Sequence, residues 1–422
     1  METVKINENI SLNYISMTKL KTTSVGVYIH RPLNKEQASY NALLPFVLKS
    51  ASEKFPSRED IAAHLDNLYG ATMGASILKF GEDQAIYFDG ETISDKYAAE
   101  GEKLVKGLLE LLMSVIFEPK VKDGAFDKTI VEQEKKGVED KIDSFINDKR
   151  QYASIRCQQE TARNTNFAIL RYGDKDTLAK ITPRELYDYY KSVITSSVID
   201  IYICGDADIE EAEKTVKSYV PNVEFTKAEI PKTEIIQHNS DINNVTEHMD
   251  VAQGKLAMSF LTDIKPTDTD IYALSVLNSV FGAGTHSKLF NNVREKLSLA
   301  YYASSQNEKF KGMIIVNAGI EFYNFKKAYD EILIQLDEIK KGNVSEQEFN
   351  WSITTIINSC NSYYDDQRAL VSFDVANRVA GVRVSLKEYM ENIKKVTVHD
   401  VVRVAGKLHL DTVYFLAGRE EK

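Results

Sequence analysis

Short runs of β-branched and aromatic residues alternate along the chain with longer amphipathic segments. The runs predict strands at Val25–Ile29, Ile77–Phe88, Val198–Ile203, Leu256–Thr262, Gly312–Ala318 and Val413–Leu416. One predicted helix has well-marked ends, since Ser57 can cap its start and Gly70 can stop it. Between them, Ile61, Leu65 and Leu68 recur at helical spacing. Interleaved strands and helices indicate an α+β fold in which helices cover mixed sheets.

The pattern of the first half of the chain recurs in the second half. Ile181–Asp206 and Val396–Arg419 each contain a helix with a capping threonine, followed by an apolar strand that ends in glycine. Leu104–Asp140 and Tyr329–Asn361 form a second matching pair, each a helix, a turn and a further helix. We therefore expect two homologous repeats, each a mixed, mostly antiparallel sheet covered by helices.

A polar segment separates the predicted repeats. Residues 226–254 contain Pro231 and show no sustained apolar periodicity, which is typical of a linker. The expected organisation is a first repeat over residues 1–225, the linker, and a second repeat over residues 255–422.

The composition of the 422 residues excludes several classes of protein. A hydrophobic content of 43% with 27% charged residues is that of a globular protein rather than a collagenous, disordered or membrane-embedded chain. The net charge of −10 provides no general attraction for nucleic acid or anionic lipid, so neither is expected as a partner. No leader or long apolar segment is evident, and we expect a cytoplasmic protein.

The cysteines and histidines give no motif for a disulfide or a metal. Cys157, Cys204 and Cys360 are odd in number and far apart, which favours buried thiols in a reducing compartment. No two histidines lie three or four residues apart. His238 and His248 lie among acidic residues of the linker and could chelate weakly, although a solvated acidic linker is the favoured interpretation. Sequence motifs of nucleotide-binding loops, serine hydrolases and zincins are also absent.

The segment Phe281–Tyr302, FGAGTHSKLFNNVREKLSLAYY, is the most distinctive in the chain. Gly282 and Gly284 predict a turn with close backbone approaches, and the helix that follows is expected to direct Leu289, Phe290 and Val293 into the core.

Arg294 and Tyr301 lie seven residues apart across the turn from this helix to the next strand, so both could face one cleft. A guanidinium and a phenol hydroxyl are suitable donors for a peptide carbonyl. From the pattern alone, an arginine and a tyrosine so placed are more often ordinary surface and core residues.

This segment resembles the second-repeat signature of the insulinase/pitrilysin superfamily, the inverzincin peptidases related to mitochondrial processing peptidase. The resemblance covers essentially the whole chain and implies the insulinase/processing-peptidase-like fold. It also implies that Arg294 and Tyr301 bind substrate and that the family's glycine-rich turn falls on Gly282 and Gly284.

The H-x-x-E-H zinc motif of that superfamily is missing from the first repeat. Its positions fall on Asn41, Leu44 and Pro45, which provide neither the three metal ligands of a catalytic zinc nor a general base. No metal or other cofactor is therefore expected in this chain. Because proline disrupts a helix interior, we expect the helix here to begin near Asn41.

The family's two downstream helical glutamates fall on Glu132 and Glu139, of which the second is its third zinc ligand. Glu139 is at most a remnant of a metal site. Ion pairs of Glu132 with Lys136 and of Lys135 with Glu139, one helical turn apart, are a sufficient structural reason for these charges and are favoured.

The resemblance implies a non-catalytic subunit of a two-chain zinc metallopeptidase. Zinc is expected only in a homologous partner that carries the H-x-x-E-H motif, while this chain holds the peptide substrate and is not an enzyme by itself. Alone, it could form a homodimer. The alternative is a structural or assembly subunit of the same fold with no role in proteolysis. An independent hydrolase is a weaker third possibility, because no combination of nucleophile and base supports it.

Overall fold

The structure is a computed structural model that describes residues 1–238 and 241–419. The strands are β1 (Glu2–Lys5), β2 (Ile10–Ser16), β3 (Thr22–Pro32), β4 (Thr72–Phe80), β5 (Asp83–Ile93), β6 (Val198–Gly205), β7 (Asn243–His248), β8 (Gly254–Leu261), β9 (Ala300–Glu308), β10 (Met313–Ile320) and β11 (His409–Ala417). The helices are α1 (Ala38–Leu48), α2 (Arg58–Asn67), α3 (Leu104–Phe117), α4 (Lys128–Asn147), α5 (Lys149–Thr161), α6 (Lys175–Lys180), α7 (Pro183–Ser196), α8 (Ile209–Tyr219), α9 (Asp270–Phe281), α10 (Phe325–Lys340), α11 (Glu346–Ser362), α12 (Gln367–Val379), α13 (Leu386–Lys395) and α14 (Val398–Ala405). A π-helix occupies Leu289–Lys296.

The two sheets have the same strand order. The first runs β1-β2-β6-β3-β5-β4 and the second runs β7-β11-β8-β10-β9, so the orders coincide once β1 is set aside. In each sheet one pair is parallel, β2 with β6 and β7 with β11, and the other neighbours are antiparallel. The prediction of two α+β repeats with mixed, mostly antiparallel sheets is confirmed.

The repeats also share the capping chemistry that suggested them. Thr182 begins α7 and Thr397 begins α14, and each side chain accepts a hydrogen bond from the third helical amide. In both helices the acidic side chain at that third position, Glu185 or Asp400, accepts a hydrogen bond from the backbone amide of the capping threonine. Such a reciprocal pair satisfies two amides that helix geometry leaves without partners, which fixes where each helix starts.

The chain folds into two compact units that do not follow the halves of the sequence. Unit 1 comprises Met1–Ile142, Ile169–Lys232 and Tyr363–Val379. Unit 2 comprises Asp143–Ala168, Thr233–Ser362 and Ala380–Lys422, of which residues up to 419 are described. Helix α5 of the first half therefore belongs to unit 2, and helix α12 of the second half belongs to unit 1. The predicted contiguous repeats did not include this exchange.

Each exchanged helix packs on the matching strands of its unit. Helix α12 lies on β3 and β6, while α5 lies on the corresponding strands β8 and β11. In unit 1, Asp374 of α12 accepts a hydrogen bond from the Tyr202 hydroxyl at 2.7 Å. In unit 2, Cys157 of α5 is fully buried, and the Thr161 and Ser259 hydroxyls are 2.6 Å apart. Polar contacts of this kind fix the position of each helix along its sheet.

Two local predictions need correction. Ile77–Phe88 is not one strand, because the chain turns at Gly81, whose φ of 62° suits glycine, so the segment spans the end of β4 and the start of β5. The predicted linker is not wholly irregular either, since it contains β7. The helix predicted after Ser57 is confirmed as α2, capped by the Ser57 side chain.

No helix in the described parts of the chain is both long and apolar enough to cross a membrane. The three cysteines are free and buried, which agrees with the predicted buried thiols.

Candidate functional site

The candidate substrate-binding residues lie at the edge of the sheet of unit 2. Arg294 is on the π-helix, and Tyr301 is near the start of the edge strand β9. The Leu297 amide donates to the Asn292 carbonyl at 3.1 Å, which closes the five-residue turn of a π-helix. Helical turns of this rare kind occur often at functional sites.

The π-helix directs two of the three predicted apolar side chains fully into the core. Leu289 and Val293 are fully buried, but Phe290 is only half-buried. The Arg294 guanidinium lies 4.7 Å from the centre of the Phe290 ring. The expectation that Phe290 points into the core is therefore wrong, and the ring instead supports Arg294 through a cation–π contact.

Polar contacts that the sequence did not reveal fix the π-helix and the turn before it. Lys288 forms an ion pair with Glu348 of α11 at 3.0 Å, and both side chains are largely buried. Two residues before Lys288 in the chain, the His286 ring lies 3.0 Å from the Ser352 hydroxyl of α11. Burial lowers the pKa of His286, which favours the neutral ring. This buried serine–histidine contact positions the segment, and Ser352 has no exposed surface from which to act as a nucleophile.

The two glycines shape the turn rather than line the cleft. A Cβ on Gly282 would lie 2.6 Å from the Ser305 amide nitrogen of β9. That amide donates to the Gly282 carbonyl at 3.0 Å, so the turn is in direct contact with the strand. Gly284 has a φ of 143°, which few other residues adopt. The structure therefore gives both glycines a role in placing the π-helix, and a direct role in substrate binding stays a prediction.

Arg294 and Tyr301 line the same open cleft of about 470 Å³, together with Glu295, Glu321 and Tyr323. The Tyr301 hydroxyl donates a hydrogen bond to the Glu321 carboxylate, which raises the pKa of Tyr301. Arg294 forms an exposed ion pair with Glu295 at 3.4 Å. Both candidate side chains are reachable from solvent, and Tyr301 is 53% exposed.

Several apolar side chains around this cleft are exposed. Leu297, Phe322 and Tyr323 are exposed by 44%, 38% and 79%, in addition to Tyr301. Aromatic rings beside an arginine form a surface of the composition found at protein and peptide interfaces. Donors for a carbonyl group and exposed aromatic rings therefore lie together at this cleft.

The positions of the lost zinc motif lie in the core of unit 1. Asn41, Leu44 and Pro45 are on α1, and all three are buried. The side-chain nitrogen of Asn41 donates to the Gln84 side-chain oxygen at 2.8 Å, and the side-chain oxygen of Asn41 accepts from the Tyr189 hydroxyl at 2.6 Å. A zinc ion does not fit these residues, because the polar atoms of Asn41 already have protein partners and the other two side chains offer no ligand.

The prediction that this helix begins near Asn41 is wrong. Helix α1 begins at Ala38, where the Ala38 amide donates to the Asn34 carbonyl at 3.0 Å. Pro45 lies inside the helix and lacks the backbone N–H that would bond to the backbone carbonyl of Asn41. The helix ends only three residues later, at Leu48, so the disruption falls in its last turn.

The two downstream glutamates form ion pairs, but not the predicted ones. Glu132 pairs with Lys135 at 3.0 Å and Glu139 pairs with Lys136 at 3.5 Å, three residues apart in each case rather than four. Both pairs are on α4, where Glu132 and Lys136 are exposed but Lys135 is buried. Within residues 1–238 and 241–419, no three His, Cys, Asp or Glu side chains converge as a metal site requires.

The histidines of the predicted linker also have other contacts. His248 lies 2.8 Å from the Gly418 carbonyl, and the His238 ring stacks on His409 with ring centres 4.6 Å apart. Glu247 accepts hydrogen bonds from the Tyr152 and Tyr414 hydroxyls.

Comparison with known proteins identifies the family. The family model described as "Peptidase M16 inactive domain" matches residues 180–355. "Probable inactive metalloprotease YmfF" of Bacillus subtilis (strain 168) is 34% identical over 411 residues, which cover 97% of this chain and 96% of that protein. "Uncharacterized zinc protease YmxG" of the same organism is 22% identical, over 92% of this chain and 91% of that protein.

A solved structure has nearly the same fold. The crystal structure of a conserved protein from Enterococcus faecalis V583 has a TM-score of 0.91 and 28% identity, and the match covers 100% of this chain and 99% of that one. The predicted membership of the insulinase-type peptidases is thus confirmed. The chain belongs to the peptidase M16 family, as a homologue of its inactive members.

Proposed function

We propose that this protein is the substrate-holding subunit of a two-chain metallopeptidase. In this proposal a homologous partner with an intact H-x-x-E-H motif supplies the metal chemistry, and Arg294 and Tyr301 bind the peptide. The observation that carries the proposal is the contrast between the two sites. The zinc-motif positions are buried and Asn41 is hydrogen-bonded within the core, whereas Arg294 and Tyr301 line an open cleft.

The geometry of the cleft supports a role in orienting a carbonyl group. The Arg294 guanidinium offers several N–H donors in one plane. Its position above the Phe290 ring limits its motion, and Lys288 anchors the helix that carries it. Donors held in place before the substrate arrives contribute most to stabilising charge that develops during a reaction.

Tyr301 must exchange its partner when a substrate binds. Its hydroxyl donates to Glu321 in the free protein, so a peptide carbonyl has to replace the carboxylate. This exchange costs little, because the bond is exposed and water can solvate the released carboxylate. The proposal assumes a cytoplasmic location, which the free, buried cysteines suit.

The test is the peptidase activity of this protein mixed with an H-x-x-E-H homologue encoded by the same genome. The isolated chain is expected to be inactive and the mixture active. Arg294→Ala and Tyr301→Phe should each lower turnover by the mixture about a hundredfold, the usual effect of losing one such donor. Arg383→Ala is the matched control, since Arg383 is exposed in the same unit but does not line the cleft.

A structural or assembly subunit is the second candidate. The observation that favours it is that both candidate side chains already have protein partners, Glu295 for Arg294 and Glu321 for Tyr301. This candidate predicts that the mixture assembles and that both variants keep full activity. Full activity of Arg294→Ala and Tyr301→Phe in an assembled, active mixture would contradict the substrate-holding role.

A further inference from the structure

A second cleft lies in unit 1, beside the C-terminal end of α1. It has a volume of about 380 Å³ and is lined by residues of α1, α2, β4 and α4. Its apolar lining consists of the half-buried side chains of Phe46, Leu65 and Met73 and the buried side chain of Ile61. An apolar group that covered these side chains would remove their remaining surface from water, which is favourable.

The charged residues at this cleft are mostly cations. Lys49 and Arg58 line it, and the Lys141 ammonium lies 5.2 Å from the centre of the Phe46 ring. Glu134 is the carboxylate among the lining residues, and Arg58 already forms an ion pair with it.

Arg58 and Lys49 have N–H groups that could donate to a ligand. Arg58 also donates from the same nitrogen to the Ser50 hydroxyl at 3.2 Å, while its side chain is 53% exposed. Within the described parts of the chain, the Lys49 ammonium has no hydrogen bond or ion pair. In a protein of net charge −10, such a local excess of cations favours an anionic ligand.

We propose that this cleft binds the C-terminal residue of a peptide, with its apolar side chain against Phe46 and Met73 and its carboxylate at Lys49 and Arg58. A peptide suits the site because Met73 belongs to β4, the edge strand of the sheet, along which an extended chain can run. The site shares no residue with the Arg294 cleft, so it is independent of the function proposed above.

The test uses the full chain and a fluorescein-labelled peptide, Gly-Ala-Ser-Ala-Leu, with binding followed by fluorescence anisotropy. Amidation of the peptide C-terminus should weaken binding about tenfold, because it removes a charge-assisted hydrogen bond. Replacement of the final Leu by Ser should weaken it by a similar factor. Lys49→Gln should weaken binding of the free acid but leave binding of the amide unchanged.

Variants of the protein separate this cleft from other surfaces. Ala62→Trp should abolish binding, because Ala62 lines the cleft, is exposed on α2 and can carry a large side chain without disturbing the fold. Lys128→Gln is the matched control, since it removes the same charge from an exposed position of α4 outside the cleft.

Each of four results would overturn the proposal. They are equal affinity for the acid and amide peptides, normal binding by a folded Ala62→Trp protein, loss of binding in Lys128→Gln, and no binding of the free acid at millimolar concentration. Displacement of the peptide by micromolar dodecanoate would also overturn it, because the site would then prefer a lipid chain.

Discussion

The candidate functional regions of the two repeats differ in burial. In unit 1 the residues at the zinc-motif positions are part of the core, and Asn41 is bonded to Gln84 and Tyr189. In unit 2 the chemically useful side chains, Arg294 and Tyr301, face solvent. One region therefore contributes to stability and the other leaves its donors available to a ligand.

This difference shows how a site can be lost without loss of the fold. A metal site needs polar ligands held together within the protein, which costs folding free energy unless the metal is bound. Leu44 and Pro45 remove that cost and pack with the core. Exposed residues such as Tyr301 carry no comparable cost in folding free energy.

The largest expected effect comes from a charge placed at the lost motif. Leu44→Glu should lower the free energy of unfolding by about 4 kcal/mol, because the carboxylate would be buried without a partner. Leu297→Glu is the matched control, since Leu297 is 44% exposed beside the Arg294 cleft, and its effect should stay within about 0.5 kcal/mol. Urea unfolding measures both. Equal destabilisation would contradict the contrast between the two regions.

The two buried histidines should respond to pH in opposite directions. In unit 1, burial lowers the pKa of His30, but Asp83 and Asp200 outweigh it and raise that pKa to about 9. The Nδ1 atom of His30 is 2.6 Å from Asp83, and its Nε2 atom is 3.3 Å from Asp200. Since the unfolded pKa is near 6.5, this stabilisation is complete below that pH and is lost as the pH rises to about 9, by up to about 3 kcal/mol.

In unit 2, burial lowers the pKa of His286, so its effect has the other sign. Its stabilisation is present above pH 6.5 and is lost as the pH falls through the lowered pKa. Urea midpoints at several pH values should show that His30→Gln removes the loss at high pH and that His286→Gln removes the loss at low pH. The same pH dependence in both variants would refute the assignment.

Loss of the Asn41 side chain should have a smaller effect. Asn41→Ala should destabilise the protein by about 2 kcal/mol, because it removes the donor to the buried Gln84 side-chain oxygen and leaves the Tyr189 hydroxyl with only its longer bond, to Gln37. Asn361→Ala is the control, since Asn361 is exposed on α11. The change is measured by urea unfolding, and an effect no larger than that of the control would show that the hydrogen bonds do not stabilise α1.

The smallest effect is expected in the Arg294 cleft and concerns titration rather than stability. Glu321→Gln should lower the pKa of Tyr301 toward its ordinary value, because the carboxylate that favours the protonated phenol is removed. NMR titration of ¹³C-labelled tyrosine measures this, with Glu346→Gln as a control at an exposed position of α11. An unchanged pKa would mean that Tyr301 is already free to bind a ligand.

Local features of the fold could be predicted from the sequence because short-range chemistry determines them. The Ser57 cap and the matching threonines Thr182 and Thr397 depend on residues within one helical turn. The placement of Arg294 and Tyr301 beside one cleft follows similarly from the short connection between the π-helix and β9.

The features that were missed depend on contacts between distant parts of the chain. The Lys288–Glu348 ion pair and the His286–Ser352 contact join residues at least 60 positions apart, and no local pattern indicates them. The π-helical winding that leaves Phe290 under Arg294 also depends on packing, since the apolar spacing alone favours an ordinary helix. The amphipathic patterns of α5 and α12 likewise show which face of each helix is apolar, but not which of the two sheets that face covers.

The exchange of α5 and α12 determines what happens when the chain is cut. A break within residues 226–238 cuts the chain between the two halves of the sequence. It does not yield the two compact units as separate fragments, because each unit contains segments from both halves. The nicked protein should therefore stay together and remain folded, whereas either half made alone would expose the sheet face that the missing helix covers. Fragments for expression or labelling must accordingly be produced as a pair.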